Sequence, residues 1–155
     1  MSPRLQDELK QTRPWASLYE EAALNIARTA AVLEHTLAQT LKPHGITPTQ
    51  YNVLRILRGA GGDGLCRNEV GERLIRPVPD VTRLLDRMEE QGLIDRRRSD
   101  TDRRFVTTCI TPQGVALLEQ LDGPILRFHQ SCLAHLAEDQ LAVLIEILET
   151  ARDGC

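Results

Sequence analysis

The stretch Asp80-Val-Thr-Arg-Leu-Leu-Asp-Arg-Met-Glu-Glu-Gln-Gly-Leu-Ile94, continuing as Asp95-Arg-Arg-Arg-Ser-Asp-Thr-Asp-Arg-Arg104 and Phe105-Val-Thr-Thr-Cys-Ile110, decides how this chain is read. Val81, Leu84, Leu85 and Met88 recur at helical spacing and make one apolar stripe. The helical pattern covers Pro79 to Gln91, and Gly92 stops it. Leu93 to Arg98 and Arg104 to Ile110 then read as the arms of a short β-hairpin, the second arm β-branched and alternating, around a wholly polar loop. Arg96, Arg97 and Arg98 on one arm face Arg103 and Arg104 on the other. A ribbon of that charge density repels itself unless an anionic partner is present. Asp95, Asp100 and Asp102 offer partial neutralisation, so charge alone also fits a solvated hairpin.

Upstream, Cys66 to Ile75 is a second short helical pattern, separated from the first by Arg76, Pro77 and Val78. Gly71, between Val70 and Leu74, is the small residue that close packing of two helices needs. Helix, tight turn, helix and hairpin in that order make a winged helix-turn-helix, whose second helix lies in the DNA major groove. On that helix Asp80, Thr82, Arg83 and Arg87 point away from the apolar stripe, and Arg and Thr are side chains that read base edges. A wing along the minor groove would meet concentrated negative potential.

Further out, Ile26, Ala30, Leu33 and Leu37 mark a helix from about Trp15 to Leu41. Thr47, Pro48 and Gln50 spell a capping box before a helix carrying Tyr51, Leu54 and Leu57. Gly59 to Gly64 is a flexible break. Thr111-Pro112 opens a long helix to about His135 that Gly123-Pro124 kinks or divides. A last helix, Glu138 to Arg152, sets Leu141, Leu144, Ile145 and Leu148 at core spacing.

The whole is mainly α with a small β-hairpin wing, in one domain of 155 residues. With 3% aromatic but 41% hydrophobic residues, its core must be aliphatic. No apolar run approaches the ~20 residues that span a bilayer, and Met1 to Lys10 has no signal-peptide core, which points to the cytoplasm. A net charge of −3 weighs little against nucleic acid when the basic residues are clustered. Cys66, Cys109, Cys132 and Cys155 form no CxxC and read as free thiols. His129, Cys132 and His135 are not read as a metal site, and no cofactor is expected. No GxSxG, Walker, HExxH or GxGxxG motif is present, which argues against an enzyme. A helical module whose wing meets protein is the other alternative, and it would not need so many arginines together.

The run from Asp80 through the arginine-rich hairpin to Ile110-Thr-Pro-Gln-Gly114 resembles the signature of the MarR family, and the flanking helices fit the same layout. The resemblance implies a homodimer, with dimerisation helices at 15–42 and 112–152 around a winged helix-turn-helix lobe at 47–110. It implies a repressor on a pseudo-palindromic operator in double-stranded DNA, released by a small molecule or an oxidant. The DNA-binding positions then fall on Asp80, Thr82, Arg83 and Arg87 of the recognition helix and Arg97, Arg98, Asp102, Arg103 and Arg104 of the wing. Asp102 would orient the Arg104 guanidinium into the minor groove, and Arg103 would meet phosphate. The sequence departs from the family pattern at Arg76-Pro-Val-Pro-Asp80, where a Ser/Thr-rich start is usual; Pro79 has no N–H for a phosphate.

Family effectors lodge between the dimerisation helices and the lobe. A small aromatic or anionic effector there would draw on Trp15, Tyr19, His35, Tyr51 and Arg55, although Trp15 and Tyr51 equally suit a core or an interface. Cys66 stands where a Ser or Thr cap is usual, with Glu69 three residues on. It is either an oxidisable thiol at a helix N-terminus or simply a poor cap.

Overall fold

The computed structural model describes residues 4–155. A short helix α1 (Arg4–Glu8) precedes the long α2 (Leu18–Leu41). Ser17 caps α2 by accepting the Glu20 N–H at 3.2 Å, so the helix begins after Trp15 rather than at it. At α3 (Pro48–Ala60) the expected capping box is present. Thr47 Oγ1 accepts the Gln50 N–H at 3.2 Å, and Gln50 Oε1 accepts the Thr47 N–H at 3.1 Å. A 3-10 turn, Gly61–Asp63, occupies the glycine-rich break. The strand β1 (Leu65–Cys66), the helix α4 (Arg67–Arg73) and the helix α5 (Val81–Glu90) follow. The strands β2 (Ile94–Arg98) and β3 (Val106–Ile110) lead to α6 (Pro112–Leu133) and α7 (Glu138–Asp153).

The wing differs from a simple hairpin. β3 is the centre of a three-stranded antiparallel sheet, flanked by β2 and by the two-residue β1. Leu65 pairs with Thr108 and Cys66 with Thr107, while Arg96 and Arg97 pair with the same two residues from the other side. This central position explains why Thr108 is buried. Cys66 stands at the N-cap of α4, the position expected for it, and is also the end of β1. Arg103 and Arg104 lie in the loop before β3, not on the strand.

The core centres on α3, whose Val53, Leu54 and Leu57 are wholly buried. They pack with Val70 of α4, Leu85 and Met88 of α5, and Leu118 and Leu121 of α6. Each such aliphatic side chain contributes about 1.5–3 kcal/mol by leaving water. Tyr51 is part of this core, the alternative that its place on the helix left open beside an effector site. Across the lobe, Arg58 on α3 holds Asp122 on α6 in a two-pronged bond of 3.0 and 3.1 Å. α6 runs through Gly123-Pro124 unbroken. Pro124 supplies no N–H, so the turn before it forgoes one helical hydrogen bond without dividing the helix.

α7 departs from the expectation of a core helix. It has no buried residue in the chain, and Val143, Ile145 and Ile147 are all more than half exposed. α2 likewise leaves Leu18, Ile26 and Val32 exposed. Among the described residues no helix is long and apolar enough to cross a membrane.

The glycine of Thr111-Pro-Gln-Gly114 has a structural reason. A Cβ there would stand 2.4 Å from the Leu93 carbonyl oxygen and 2.7 Å from Ile110 Cγ1, where α6 leaves the sheet. Gly114→Ala should therefore lower stability by about 2–3 kcal/mol in urea unfolding, because the wing must move off α6. An unchanged midpoint would show that the close approach is not fixed.

Candidate nucleic-acid interface

The interface is assembled from the end of α5 outward. Asp80 caps α5, its carboxylate accepting the Arg83 N–H at 2.9 Å, so Pro79 precedes the helix instead of starting it. Val81 of α5 sits against α4 at Gly71, where a Cβ would stand 3.3 Å from Val81 Cγ2. The pairing of the two helices therefore uses the small residue expected there. At its other end α5 closes in a Schellman turn. The Gly92 N–H donates to Glu89 O at 2.9 Å, the Leu93 N–H to Met88 O at 3.0 Å, and Gly92 takes φ 74°. That left-handed residue turns the chain directly from recognition helix to β2.

The five hairpin arginines separate into two kinds. Arg96 faces inward along the lobe, its guanidinium 2.6 Å from Asp86 and 2.9 Å from Glu89 of α5. Its backbone N–H also donates to Glu89 at 3.0 Å. Arg97 is paired with Asp95 at 2.9 Å. Arg98, Arg103 and Arg104 are exposed and have no carboxylate partner among the described residues. The ribbon is thus not uniformly self-repelling, because the lobe neutralises part of it. Asp102 also differs from expectation: it accepts the backbone N–H of Arg104 at 3.0 Å and orders the loop, leaving the guanidinium unheld.

On α5, Arg83 and Arg87 are exposed. Thr82 is half-buried and accepts a hydrogen bond from Arg67 Nη1 at 3.1 Å. Arg67, at the start of α4, was not singled out from the sequence, although its place just after the Cys66 cap puts it beside α5. A groove of about 430 Å³ between α4, α5 and the wing is lined by Arg67, Thr82, Arg104 and Phe105 among others. Cys66 lines it too, half-buried, with its N–H donated to Glu69 at 2.8 Å. That bond and the neighbouring Cys66 thiol hold the Glu69 carboxyl below its ordinary range. All four cysteines are unpaired.

The expected effector residues are not gathered. Tyr19, His35 and Arg55 are exposed, Tyr51 is in the core, and Trp15 is half-buried with its indole N–H unpartnered. A cleft of about 380 Å³ does lie between α2, α3 and α6, but none of the five lines it. Its walls include Leu33, Leu37, Phe128 and Cys132, and its rim carries Glu34 and Arg76, which form an ion pair. Nothing in the sequence pattern joined those two residues. His129 and Cys132 meet in this cleft, and among the described residues no group of three or more His, Cys, Asp or Glu is placed to hold a metal.

A capped helix pair followed directly by a sheet wing defines a winged helix-turn-helix protein. The family model described as MarR family matches residues 44–104. The multiple antibiotic resistance protein MarR of Salmonella typhimurium is 34% identical over 119 residues, covering 75% of this chain and 80% of that protein. The crystal structure of a MarR transcription factor from Planctomyces limnophilus has 34% identity and a TM-score of 0.68, over 88% of this chain and 99% of that one. A mutant MarR from E. coli, complexed with operator DNA, has 26% identity and a TM-score of 0.77 over 88% and 99%. The chain belongs to the MarR family.

Arg96 holds the Glu89 carboxyl below its ordinary value in the folded chain. The folded state therefore binds fewer protons there than the unfolded one. The contribution is complete above the ordinary carboxylate range and fades as pH falls through the lowered value. Glu89 is two-fifths exposed, so solvent screens the pair. Glu89→Gln should lower the melting temperature by about 2 °C at neutral pH. The gap to the parent protein should narrow at acid pH, once the carboxylate is protonated in the folded state as well as in the unfolded one. A gap of equal size at both pH values would show that the ion pair is not its source.

Proposed function

We propose that this protein is a homodimeric, cytoplasmic repressor that reads a pseudo-palindromic operator in double-stranded DNA and leaves it when a small-molecule effector binds. The observation that carries the reading is the set of unpaired arginines on the wing, Arg98, Arg103 and Arg104, beside the exposed Arg83 and Arg87 of α5. Cationic side chains left without protein partners on two adjoining elements fit a polyanion whose grooves take a helix and a ribbon. The operator complex of the E. coli relative supports it. Arg98 and Arg104 reach into the minor groove, Arg103 and Arg97 meet phosphate, and Arg83, Arg87 and Thr82 read the major groove. Asp80 acts by fixing the start of α5. No catalytic step is part of this function.

The dimer follows from the exposed apolar faces of α2 and α7, with α6 beside them. Burying such faces against a second copy removes them from water and sets the two recognition helices about 34–36 Å apart, one turn of DNA. The lobe from α3 to β3 is then the reading head, and the terminal helices are the frame.

Binding to a labelled fragment from upstream of the protein's own gene, against an unrelated fragment, tests this across a salt series. Tight, selective and salt-sensitive binding is expected. Arg104→Ala should cost about 1–3 kcal/mol on the operator. Arg103→Ala should weaken both fragments alike and reduce the salt slope by about one. Equal, salt-insensitive binding to both fragments would defeat the reading and favour a wing that meets protein.

Ile145→Asp should convert the dimer to a monomer in sedimentation analysis. It should remove operator binding while the helical circular dichroism persists, since Ile145 is 57% exposed in the single chain. A variant that remains dimeric would place the interface elsewhere.

A further inference from the structure

Arg67 is an arginine whose donors rest on neutral oxygens. Its Nη1 donates to Thr82 Oγ1 at 3.1 Å, and its Nη2 makes a longer contact of 3.5 Å with Asn68 Oδ1. Among the described residues no carboxylate forms an ion pair with it, whereas Arg58, Arg76, Arg96 and Arg97 each have one. Glu69, two residues on, is turned back onto the Cys66 N–H instead. Arg67 is the first residue of α4, and Thr82 is the second residue of α5. Thr82 follows Val81, the residue that meets α4 at Gly71. The close fit of the two helices at that glycine therefore sets the reach of Arg67 to Thr82.

A threonine hydroxyl has one proton and two lone pairs, and a guanidinium only donates. The bond from Arg67 occupies one lone pair of Thr82 and turns the hydroxyl proton away from it. On α2, Thr36 and Thr40 donate that proton to the carbonyl four residues back, at 3.0 and 3.1 Å. Thr82 makes no such bond among the described residues, so its proton is free. A positive group against the oxygen also makes the hydroxyl a better donor and a poorer acceptor. The first residues of a recognition helix are the ones that meet base edges. In the major groove guanine presents two acceptors, N7 and O6, whereas adenine sets an acceptor beside a donor and cytosine presents a donor. DNA laid over the groove excludes the water that competes for Arg67 in the free chain, which strengthens the bond.

We propose that Arg67 determines specificity at one base pair of each half-site: its guanidinium holds the Thr82 hydroxyl as a hydrogen-bond donor, so that α5 selects guanine there over adenine and cytosine. The proposal rests on the operator-reading function and assigns one of its base preferences to a side chain outside the recognition helix. Arg67 is a positioning residue, acting through Thr82 and not on the base itself. Without it the hydroxyl turns freely, accepts from adenine or cytosine as readily as it donates to guanine, and loses its discrimination.

The test begins with duplexes that the parent protein selects from random double-stranded DNA, each then changed at one base pair in both half-sites. Fluorescence anisotropy titrations compare the full chain with Arg67→Met, Thr82→Val and the double variant. The parent should prefer guanine at one symmetric pair of positions by about three- to tenfold, the range of one net hydrogen bond. Each single variant should erase that preference at the same pair and keep the preferences elsewhere. The double variant should lose no more than either single one, because the two side chains act as a unit. Melting temperatures should stay at the parent's value, since Arg67 is exposed. Arg67→Met weakening every duplex alike, with guanine still preferred and the salt slope reduced by about one, would overturn the proposal and place Arg67 on phosphate. Additive losses from Arg67→Met and Thr82→Val would overturn it too, as would a loss at all positions with a lowered melting temperature. If the parent enriches no sequence, the operator reading fails and this inference with it. Enrichment by the parent with an unchanged guanine preference in Arg67→Met overturns this inference alone.

Discussion

The geometry of the reading head depends on Arg96. From β2 its guanidinium bridges Asp86 and Glu89, residues one turn apart on α5, and its backbone N–H adds a third bond to Glu89. Burial would lower the guanidinium's affinity for its proton, but the two carboxylates more than compensate and raise it. The wing is thereby held at one angle to the recognition helix, and the Gly92 turn permits only a short path between them. Everything at the tip inherits that angle. Arg96 is held against α5 and away from Arg98, Arg103 and Arg104, which have no carboxylate partner among the described residues.

The fold was largely legible because its determinants are local and periodic. The apolar stripe of α5, the Thr47–Gln50 capping box and the stop at Gly92 each announce themselves within a few residues. β1 escaped because two residues have no period, and its strand character comes wholly from pairing with Thr107 and Thr108. The site was legible in part for a related reason. Sequence shows where arginines cluster, but not which of them the fold neutralises; Arg96 finds its partners only after α5 and β2 are side by side. Likewise Asp102 was expected to hold a guanidinium, and a loop turn uses its carboxylate on a nearer donor, the Arg104 N–H. Helical spacing had already set Tyr51 on the face of Leu54 and Leu57, but it could not foresee that Glu34 and Arg76 would meet.

The terminal helices explain an apparent excess of apolar residues. α6 serves both sides of the molecule, burying Leu118, Leu121 and Ile125 against the lobe and leaving Leu126 in water. The bond between Arg58 and Asp122 ties lobe to frame, and it is strong enough to hold the Asp122 carboxyl below its ordinary value. It crosses between α3 and α6, whereas the Arg76–Glu34 pair crosses between the recognition turn and α2. One fastening is a rigid two-pronged fork and the other a single exposed contact, so the frame grips the body of the lobe more firmly than its reading edge.

The two prolines of the turn between α4 and α5 bear on this difference. Each ring fixes its own backbone φ, and each also keeps the residue before it, Arg76 and Val78, out of the helical region. Such a segment has few conformations to lose when the chain folds. It behaves as a strut more than a hinge, conveying displacement along its length where a glycine-rich loop would dissipate it as disorder.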